Sequence, residues 1–194
     1  EGRQALGIPD DATLLLVFGG SLGARHLNEC VTRLKDDLLS RRNLHIVHST
    51  GAKDYDSVAA GLALTDEQRS RWSLRPYIDD MGSALAAADL VLSRAGASSI
   101  AEIAALAVPS VLVPYPFATA DHQTTNARYL VDAGAALLFA DDDIDGDAFP
   151  AELLGLIDDG DRRSAMRSAA RGLAQDKAAS ALADQVESAA SIGA

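Results

Sequence analysis

The feature that most constrains the fold of this chain is a repeated alternation between short apolar runs and longer segments with helical periodicity. The apolar runs are Thr13–Phe18, Leu44–Val47, Leu90–Leu92, Val111–Val113 and Ala136–Phe139. They show little polar alternation, which is typical of parallel strands that helices cover on both faces. Because parallel strands need crossover connections, the pattern predicts right-handed βαβ units in an open, doubly wound α/β sheet.

The segments between these runs repeat apolar residues at helical spacing, as the leucines and valine of residues 24–38 illustrate. From Asp161 onward the pattern is wholly helical and rich in alanine. We therefore expect a Rossmann-like domain over residues 1–160. Residues 161–194 are expected to form C-terminal helices that pack on this domain or cross to a neighbouring one.

Charge and composition disfavour several classes of partner and location. The chain has 194 residues and a formal net charge of −11, which argues against nucleic acid or an anionic membrane as a partner. Cys30 is the only cysteine, which suits a reducing compartment. No apolar run approaches a membrane span and Glu1 does not open a signal peptide, so we expect a soluble chain. Because the chain opens without methionine, we also expect a fragment.

The first of three polar or glycine-rich turns is Gly19-Gly-Ser-Leu-Gly-Ala24, between the first strand and the first helix. Its glycines let the backbone approach a ligand, and Ser21 could donate its hydroxyl to a phosphate. The turn is neither a P-loop nor a G-x-G-x-x-G fingerprint. A turn that needs glycine for its geometry alone is an equal alternative.

The second turn, Arg94-Ala-Gly-Ala-Ser-Ser-Ile-Ala-Glu102, leads from a strand into a helix. A helix N-terminus attracts phosphate, and a carboxylate one turn further along can accept hydrogen bonds from ribose hydroxyls. The pattern therefore predicts a nucleotide-diphosphate site. Ser99 and Glu102 also match a capping box, which would give Glu102 a structural role. Arg94 could offset the diphosphate charge or pair with an acid at the strand edge.

The third turn follows Val113 and carries the polar cluster Asp121-His-Gln-Thr-Thr-Asn126. Its donors and acceptors suit the recognition of sugar hydroxyls. A catalytic dyad of Asp121 and His122 is a weaker alternative, because adjacent helical residues rarely face the same way. Simple helix capping by Asp121 is another alternative.

The acidic segment Asp141–Glu152 matches the EF-hand loop expression letter for letter. Its context argues against calcium, because a predicted strand stands where a helix should enter. In addition, Ala148 replaces a larger apolar residue, and Pro150 lies where the exiting helix should begin. We expect a solvated loop in which Asp or Gly caps the next helix.

In this order and spacing, four motifs resemble the C-terminal, donor-binding domain of the MurG family, the UDP-N-acetylglucosamine transferases that convert lipid I to lipid II. They are Gly19–Ala24, Tyr77-Ile-Asp-Asp-Met81, Arg94–Glu102 and Asp121–Asn126, and the likeness covers nearly the whole chain. The resemblance implies the GT-B architecture, in which two Rossmann-like domains face a cleft. This chain looks like the C-terminal half.

The resemblance implies a set of nucleotide-sugar contacts. Ile78 would meet the uracil edge through its backbone, with Met81 nearby, and Glu102 would bind the ribose. Leu22 stands where the family often has Gln, and His122 stands where some members have Gln. The resemblance therefore does not decide the side-chain contacts at these two positions. Ser21 and the turn of Gly96, Ala97, Ser98 and Ser99 would lie against the diphosphate, and His122, Gln123 and Asn126 would lie near the sugar. The remaining nucleotide-sugar-binding residues that the resemblance implies are Leu22, Gly23 and Arg94.

The resemblance also implies an inverting transfer of N-acetylglucosamine in peptidoglycan synthesis, and so a role in cell wall biogenesis, cell shape and cell division. UDP-GlcNAc would be the donor, and no cofactor would be required, because helix amides would stabilise the departing diphosphate. The acids of residues 141–147 also match the D-x-D metal motif of other glycosyltransferases, but we expect them to lie away from the Gly-rich turns. We assign no metal ligand.

In the family, the N-terminal domain carries the lipid I site, the membrane-facing patch and the general base. We therefore assign no catalytic residue to this chain, and expect it to bind UDP weakly and to transfer nothing alone. The full-length protein would be peripheral at the cytoplasmic face of the bacterial plasma membrane. Another GT-B enzyme (a UDP-GlcNAc 2-epimerase or a lipid glucosyltransferase) and a non-catalytic nucleotide-binding module are the alternatives.

Overall fold

The computed structural model contains a six-stranded parallel β-sheet with helices on both faces, and it describes residues 2–19, 24–118 and 121–173. The order β3-β2-β1-β4-β5-β6, with every neighbouring pair parallel, confirms the predicted doubly wound α/β fold. The strands are β1 (Thr13–Phe18), β2 (Leu44–Ser49), β3 (Trp72–Arg75), β4 (Leu90–Ser93), β5 (Ser110–Leu112) and β6 (Ala136–Leu138).

Helices connect the strands and cover the sheet. A 3₁₀ helix, Asp141–Asp145, lies between β6 and the helix that follows. The α-helices are α1 (Gly2–Ala5), α2 (Arg25–Arg33), α3 (Lys35–Leu39), α4 (Tyr55–Leu62), α5 (Asp66–Arg69), α6 (Met81–Ala87), α7 (Ala97–Ala105), α8 (His122–Val131), α9 (Ala148–Asp158) and α10 (residues 160–173).

Side chains of β1 alternate between two hydrophobic clusters, one on each face of the sheet. Leu15 and Val17 belong to the first cluster, which the buried sides of α2, α4 and α9 complete. Leu14 and Leu16 belong to the second cluster, together with residues of α6, α7 and α8. The central strands are therefore buried on both faces, which explains why their sequences are continuously apolar.

The described part of the C-terminal helices packs on the sheet domain. In α10, Met166 joins the first cluster and Ala170 joins the second. Arg167 Nη2 also donates to the carbonyl oxygen of Ala88 at 3.1 Å. Residues 174–194 lie outside the described residues. Within the described ranges, no helix has the length and apolar character that crossing a membrane requires.

The two central strands, β1 and β4, are neighbours in the sheet although β2 and β3 separate them in sequence. The chain therefore winds outward in opposite directions from this pair. In such sheets a crevice opens at the carboxyl ends of the two strands, where ligands bind. The second predicted turn follows β4 directly and so lies at this crevice, whereas residues 20–23 of the first predicted turn are outside the described residues.

Candidate functional site

The helix α7 begins at the crevice with an N-terminus that no described side chain caps. Gly96 is the N-cap residue, and within the described part of the chain no side chain accepts a hydrogen bond from the first turn. The backbone N–H groups of residues 96–99 have no acceptor among the described residues. Free amide donors at the positive end of the helix dipole favour an anionic ligand.

Gly96 is a glycine that the fold itself does not require. Its φ of −62° is open to any residue. A Cβ atom built there would meet only the Oγ atom of Ser99, at an ordinary contact distance of 3.8 Å. Because neither conformation nor packing excludes a side chain, the glycine leaves space for a ligand to approach the backbone.

Glu102 lies in the second turn of α7, and its side chain is exposed. The alternative of a capping box with Ser99 is wrong, because the helix begins at Ala97 and Gly96 occupies the N-cap position. Ser99 is therefore inside the first turn. The Glu102 carboxylate has no hydrogen bond or ion pair with any described residue, so it is available to a ligand.

Two polar side chains of α8 join the second and third turns. Gln123 Oε1 accepts from the backbone N–H of Ala95 at 3.1 Å and from that of Tyr115 at 2.9 Å. Asn126 Nδ2 donates to the carbonyl oxygen of Ala95 at 3.2 Å. These bonds place the predicted sugar-binding residues beside the start of α7. Gln123 Nε2 and Asn126 Oδ1 have no partner in the described part of the chain.

The start of α8 contains no dyad and no side-chain cap. Asp121 has a left-handed backbone, with φ 53°, and its side chain does not accept from the helix backbone. Its Oδ1 atom accepts instead from Thr124 Oγ1 at 2.6 Å. His122 is exposed and has no hydrogen-bond partner among the described residues. Both the dyad and capping by the Asp121 side chain are therefore wrong.

Ile78 and Met81 lie between the end of β3 and the start of α6. The side chain of Ile78 is buried in the second hydrophobic cluster, which also contains Ala95 and Ile100, and Met81 packs against this cluster. The backbone N–H and C=O groups of Ile78 have no hydrogen-bond partner among the described residues. A backbone contact between Ile78 and a uracil edge stays a prediction.

Arg94 is buried, with 6% of its surface exposed. Its Nη1 atom donates to the carbonyl oxygens of Val113, at 3.2 Å, and Pro114, at 3.1 Å. The same atom lies 2.5 Å from Asp141 Oδ1 in an ion pair. The guanidinium carbon lies 5.8 Å from the ring centroid of Tyr115. Of the two roles open to Arg94, the geometry supports pairing with an acid, so Arg94 fixes the turn after β5.

The acidic segment after β6 is packed against the domain, which corrects two expectations. It forms a 3₁₀ helix where a loop was expected, and although most of its residues are exposed, Ile144 is 2% exposed and its carbonyl oxygen accepts from Cys30 Sγ at 3.3 Å. It does not lie away from the Gly-rich turns either, because Asp141 pairs with Arg94 of the second turn. One apolar residue within an acidic run anchors the segment on α2. Asp147, the N-cap residue of α9, forms no side-chain cap.

His26, in the first turn of α2, bridges two of these acids. Its Nδ1 atom lies 2.8 Å from Asp141 Oδ2, and its Nε2 atom lies 3.1 Å from Asp145 Oδ2. The hydrogen bond with Asp141 is the main cause of a raised pKa of His26. Burial opposes the charged form of Asp141, but the hydrogen bond with His26 and the adjacent positive charge of Arg94 outweigh it and lower the pKa of Asp141.

Sequence reasoning missed the contact between His26 and Asp141. The two residues are 115 positions apart, and no local pattern links them. Ser21, Leu22 and Gly23, which are predicted to meet the diphosphate, lie outside the described residues. Among the residues that are described, no group of three or more His, Cys, Asp or Glu side chains is arranged to hold a metal ion.

Comparison with known proteins identifies the family. Residues 14–186 match the glycosyltransferase family 28 C-terminal domain. The chain is 44% identical over 186 residues to the UDP-N-acetylglucosamine--N-acetylmuramyl-(pentapeptide) pyrophosphoryl-undecaprenol N-acetylglucosamine transferase of Chlorobium phaeobacteroides, covering 96% of the chain and 50% of the relative. It is 40% identical over 196 residues to the protein of the same name from Desulforudis audaxviator, covering 100% and 52%. The chain thus spans about half the length of the curated relatives it matches.

Solved structures support the same assignment. Acinetobacter baumannii MurG matches with a TM-score of 0.71 and 31% identity, over 88% of this chain and 48% of that one. WaaG, a glycosyltransferase of lipopolysaccharide biosynthesis, matches with a TM-score of 0.63 and 22% identity, over 90% and 45%, and shares the fold alone. With its Rossmann-like fold of a GT-B glycosyltransferase half, the chain belongs to the glycosyltransferase family 28 C-terminal domain family.

Proposed function

We propose that this chain is the donor-binding half of an inverting transferase that moves N-acetylglucosamine from UDP-GlcNAc to lipid I, forming lipid II in peptidoglycan synthesis. The observation that carries the proposal is the uncapped N-terminus of α7 beside the unpaired carboxylate of Glu102. The names of the relatives, which state this transfer, support it.

In this proposal the diphosphate lies against the free N–H groups of residues 96–99. Negative charge develops on the leaving UDP during transfer, and amides already oriented toward it stabilise that charge without reorganisation. The proposal assigns this task to the helix amides and requires no cofactor. Glu102 accepts hydrogen bonds from the two ribose hydroxyls, which fixes the nucleoside relative to the phosphates.

We assign the sugar to the start of α8. Gln123 Nε2 and Asn126 Oδ1, both unpaired among the described residues, offer one donor and one acceptor close to the α7 N-terminus. His122 is exposed at the same helix start. The lipid acceptor, the general base and the membrane-facing surface belong, in this proposal, to a further domain of a longer protein that acts at the cytoplasmic face of the plasma membrane.

Calorimetry with UDP, UDP-GlcNAc, dTDP and CMP tests the nucleotide assignment. We expect the two uridine compounds to bind more tightly than dTDP and CMP, because the site would read the uracil edge and the ribose hydroxyls. Equal affinity for all four compounds, or no binding, would contradict the proposal. Incubation with UDP-GlcNAc followed by NMR separates the alternative of a 2-epimerase, which would form a second N-acetylated sugar nucleotide without any acceptor.

Replacement of Gly96 by alanine is expected to weaken UDP binding by at least about tenfold, or ~1.4 kcal/mol, because the added methyl group blocks approach to the amides. Stability should change by less than about 1 kcal/mol, since the position accepts a Cβ atom and only the N-cap preference is lost. Calorimetry and urea denaturation measure the two effects. Gly155→Ala, in α9 with nothing near its Cβ position, is the matched control and should leave UDP affinity unchanged.

Replacement of Gln123 by glutamate tests the sugar assignment. The variant keeps the oxygen that accepts from the N–H groups of Ala95 and Tyr115, so the melting temperature should stay close to that of the parent chain. It loses the amide donor, so UDP-GlcNAc should lose more affinity than UDP does. By contrast, Gln123→Leu leaves both N–H groups unpaired and should cost about 1–3 kcal/mol of stability. An unchanged ratio of UDP-GlcNAc to UDP affinity in Gln123→Glu would contradict the assignment.

A further inference from the structure

We propose that His26, Asp141 and Arg94 form a positioning cluster that holds the start of α2 against the start of α7, and that protonation of His26 tightens this cluster and the binding of the sugar nucleotide. The proposal rests on the proposed function, because the sugar nucleotide is the ligand whose affinity reports on the cluster. None of the three residues needs to touch the ligand.

A single carboxylate joins three separate elements in this cluster. Asp141, at the start of the 3₁₀ helix, uses Oδ1 for Arg94 at the end of β4 and Oδ2 for His26 in α2. The side chains of Asp141 and Arg94 are 11% and 7% exposed. Both helices that this carboxylate connects begin at the crevice, and their N-cap residues, Ala24 and Gly96, form no side-chain cap. Loss of one partner from such a buried pair is strongly unfavourable, so the contact restrains the relative position of the elements.

The protonation state of His26 decides how many of its contacts are favourable. Both ring nitrogens face carboxylates, those of Asp141 and Asp145. The imidazolium ion donates to both, whereas the neutral ring has one N–H and turns a lone pair toward the other carboxylate. Loss of the proton therefore removes one of the two contacts that His26 makes with the 3₁₀ helix.

Other charged groups surround the cluster and affect the protonation of His26. Arg33 of α2 pairs with Asp145, and Arg94 pairs with Asp141, so each acid that faces His26 also faces a fixed cation. On the other side of the helix start, Arg25 pairs with Asp54 at the start of α4. The hydrogen bond with Asp141 nevertheless raises the pKa of His26, and Asp145 adds to this effect. Together they outweigh burial, which lowers the pKa.

The raised pKa of His26 determines whether the cluster is stronger at low or at high pH. A histidine with a raised pKa in the folded chain contributes stability that is present below its ordinary value of 6.5 and is lost as the pH rises through the folded pKa. Asp141 has a lowered pKa and stays charged throughout this range. His45 and His48 have lowered pKa values, that of His48 about 3, so their charge changes at lower pH.

Calorimetry with UDP-GlcNAc between about pH 5.5 and 8.5 tests the coupling to the nucleotide. Its diphosphate is esterified on both sides and does not titrate in this range, unlike that of UDP. We expect the affinity of the parent chain to fall by about fivefold as the pH rises, with an inflection above the ordinary histidine pKa. The inflection should persist in His122→Gln, which removes the histidine of the sugar site, and disappear in His26→Gln. An inflection that persists in His26→Gln would overturn the proposal.

NMR titration of the His26 ring tests the cluster without any ligand. The pKa of His26 should fall in Asp141→Asn and, by a smaller amount, in the more exposed Asp145→Asn, which guards against loss of folding in the first variant. Asp142→Asn removes a neighbouring exposed carboxylate and should leave the His26 pKa nearly unchanged. A His26 pKa that is equal in all of these variants would overturn the cluster. Absence of UDP-GlcNAc binding at every pH would overturn the proposed function and the coupling of nucleotide affinity to His26 protonation. The NMR titration would then still show whether His26 contacts Asp141.

Discussion

Replacement of Arg94 by methionine is expected to lower the free energy of unfolding by about 3–5 kcal/mol, the range observed when one partner of a buried ion pair is removed. Methionine preserves the apolar stem of the side chain but leaves Asp141 charged and poorly compensated. It also leaves the carbonyl oxygens of Val113 and Pro114 without their donor. Urea denaturation, with the slope of unfolding compared between variants, measures the change.

Two further variants show whether the buried pair causes this loss. Arg69→Met removes an arginine from an exposed pair with Asp66, 4.0 Å apart, and should change the stability by less than about 1 kcal/mol. Arg94→Met combined with Asp141→Leu removes both buried charges and should recover part of the loss. A loss in the double variant that equals the sum of the two single losses would contradict the pairing.

Replacement of Glu102 by alanine is expected to weaken UDP and UDP-GlcNAc binding by about 1.5–3 kcal/mol, the contribution of a hydrogen bond to a charged group. This corresponds to a loss of roughly 10- to 150-fold in affinity. The stability should change little, because the Glu102 carboxylate has no partner among the described residues. Calorimetry measures the affinity, and thermal denaturation confirms that the variant is folded.

The ribose assignment has a sharper test in 2′-deoxy-UDP. The parent chain should bind this analogue more weakly than UDP, whereas Glu102→Ala should bind both equally, because the group that distinguishes them is gone. Glu67→Gln, an exposed glutamate in the distant α5, is the control and should behave like the parent chain. If Glu102→Ala still prefers UDP over the analogue, the carboxylate does not bind the ribose.

The sequence predicts most of the sheet, because strands that are buried on both faces have continuously apolar sequences. The five apolar runs correspond to β1, β2, β4, β5 and β6. The remaining strand, β3, escapes prediction because polar Ser73 and Arg75 alternate with its apolar residues. The opposite edge strand, β6, is half-buried as well but is continuously apolar, so it is detectable. The existence of β3 depends on pairing with β2, which is a tertiary contact that no local pattern records.

The candidate site is predictable only where its residues are close in sequence. The turn from Arg94 to Glu102 is recognisable because its glycine, small residues and carboxylate fall in one segment. The exact start of α7 is not, since Gly96 and Ser99 are both acceptable N-cap residues and only the folded backbone distinguishes them. The contacts of Asp141 with Arg94 and His26 depend on the way β6 brings a distant acidic run back to the crevice.

The two hydrogen bonds that Gln123 Oε1 accepts also determine which way its amide is oriented. With the oxygen held by the N–H groups of Ala95 and Tyr115, a rotation that exchanges oxygen and nitrogen would set NH₂ against two other donors. In the proposed donor site, the side chain therefore presents its N–H bonds, and not its oxygen, to the sugar. A hydroxyl or an acetamide carbonyl can accept from that position, but an ammonium group cannot, which gives the start of α8 a chemical reason to discriminate against sugars with a free amine.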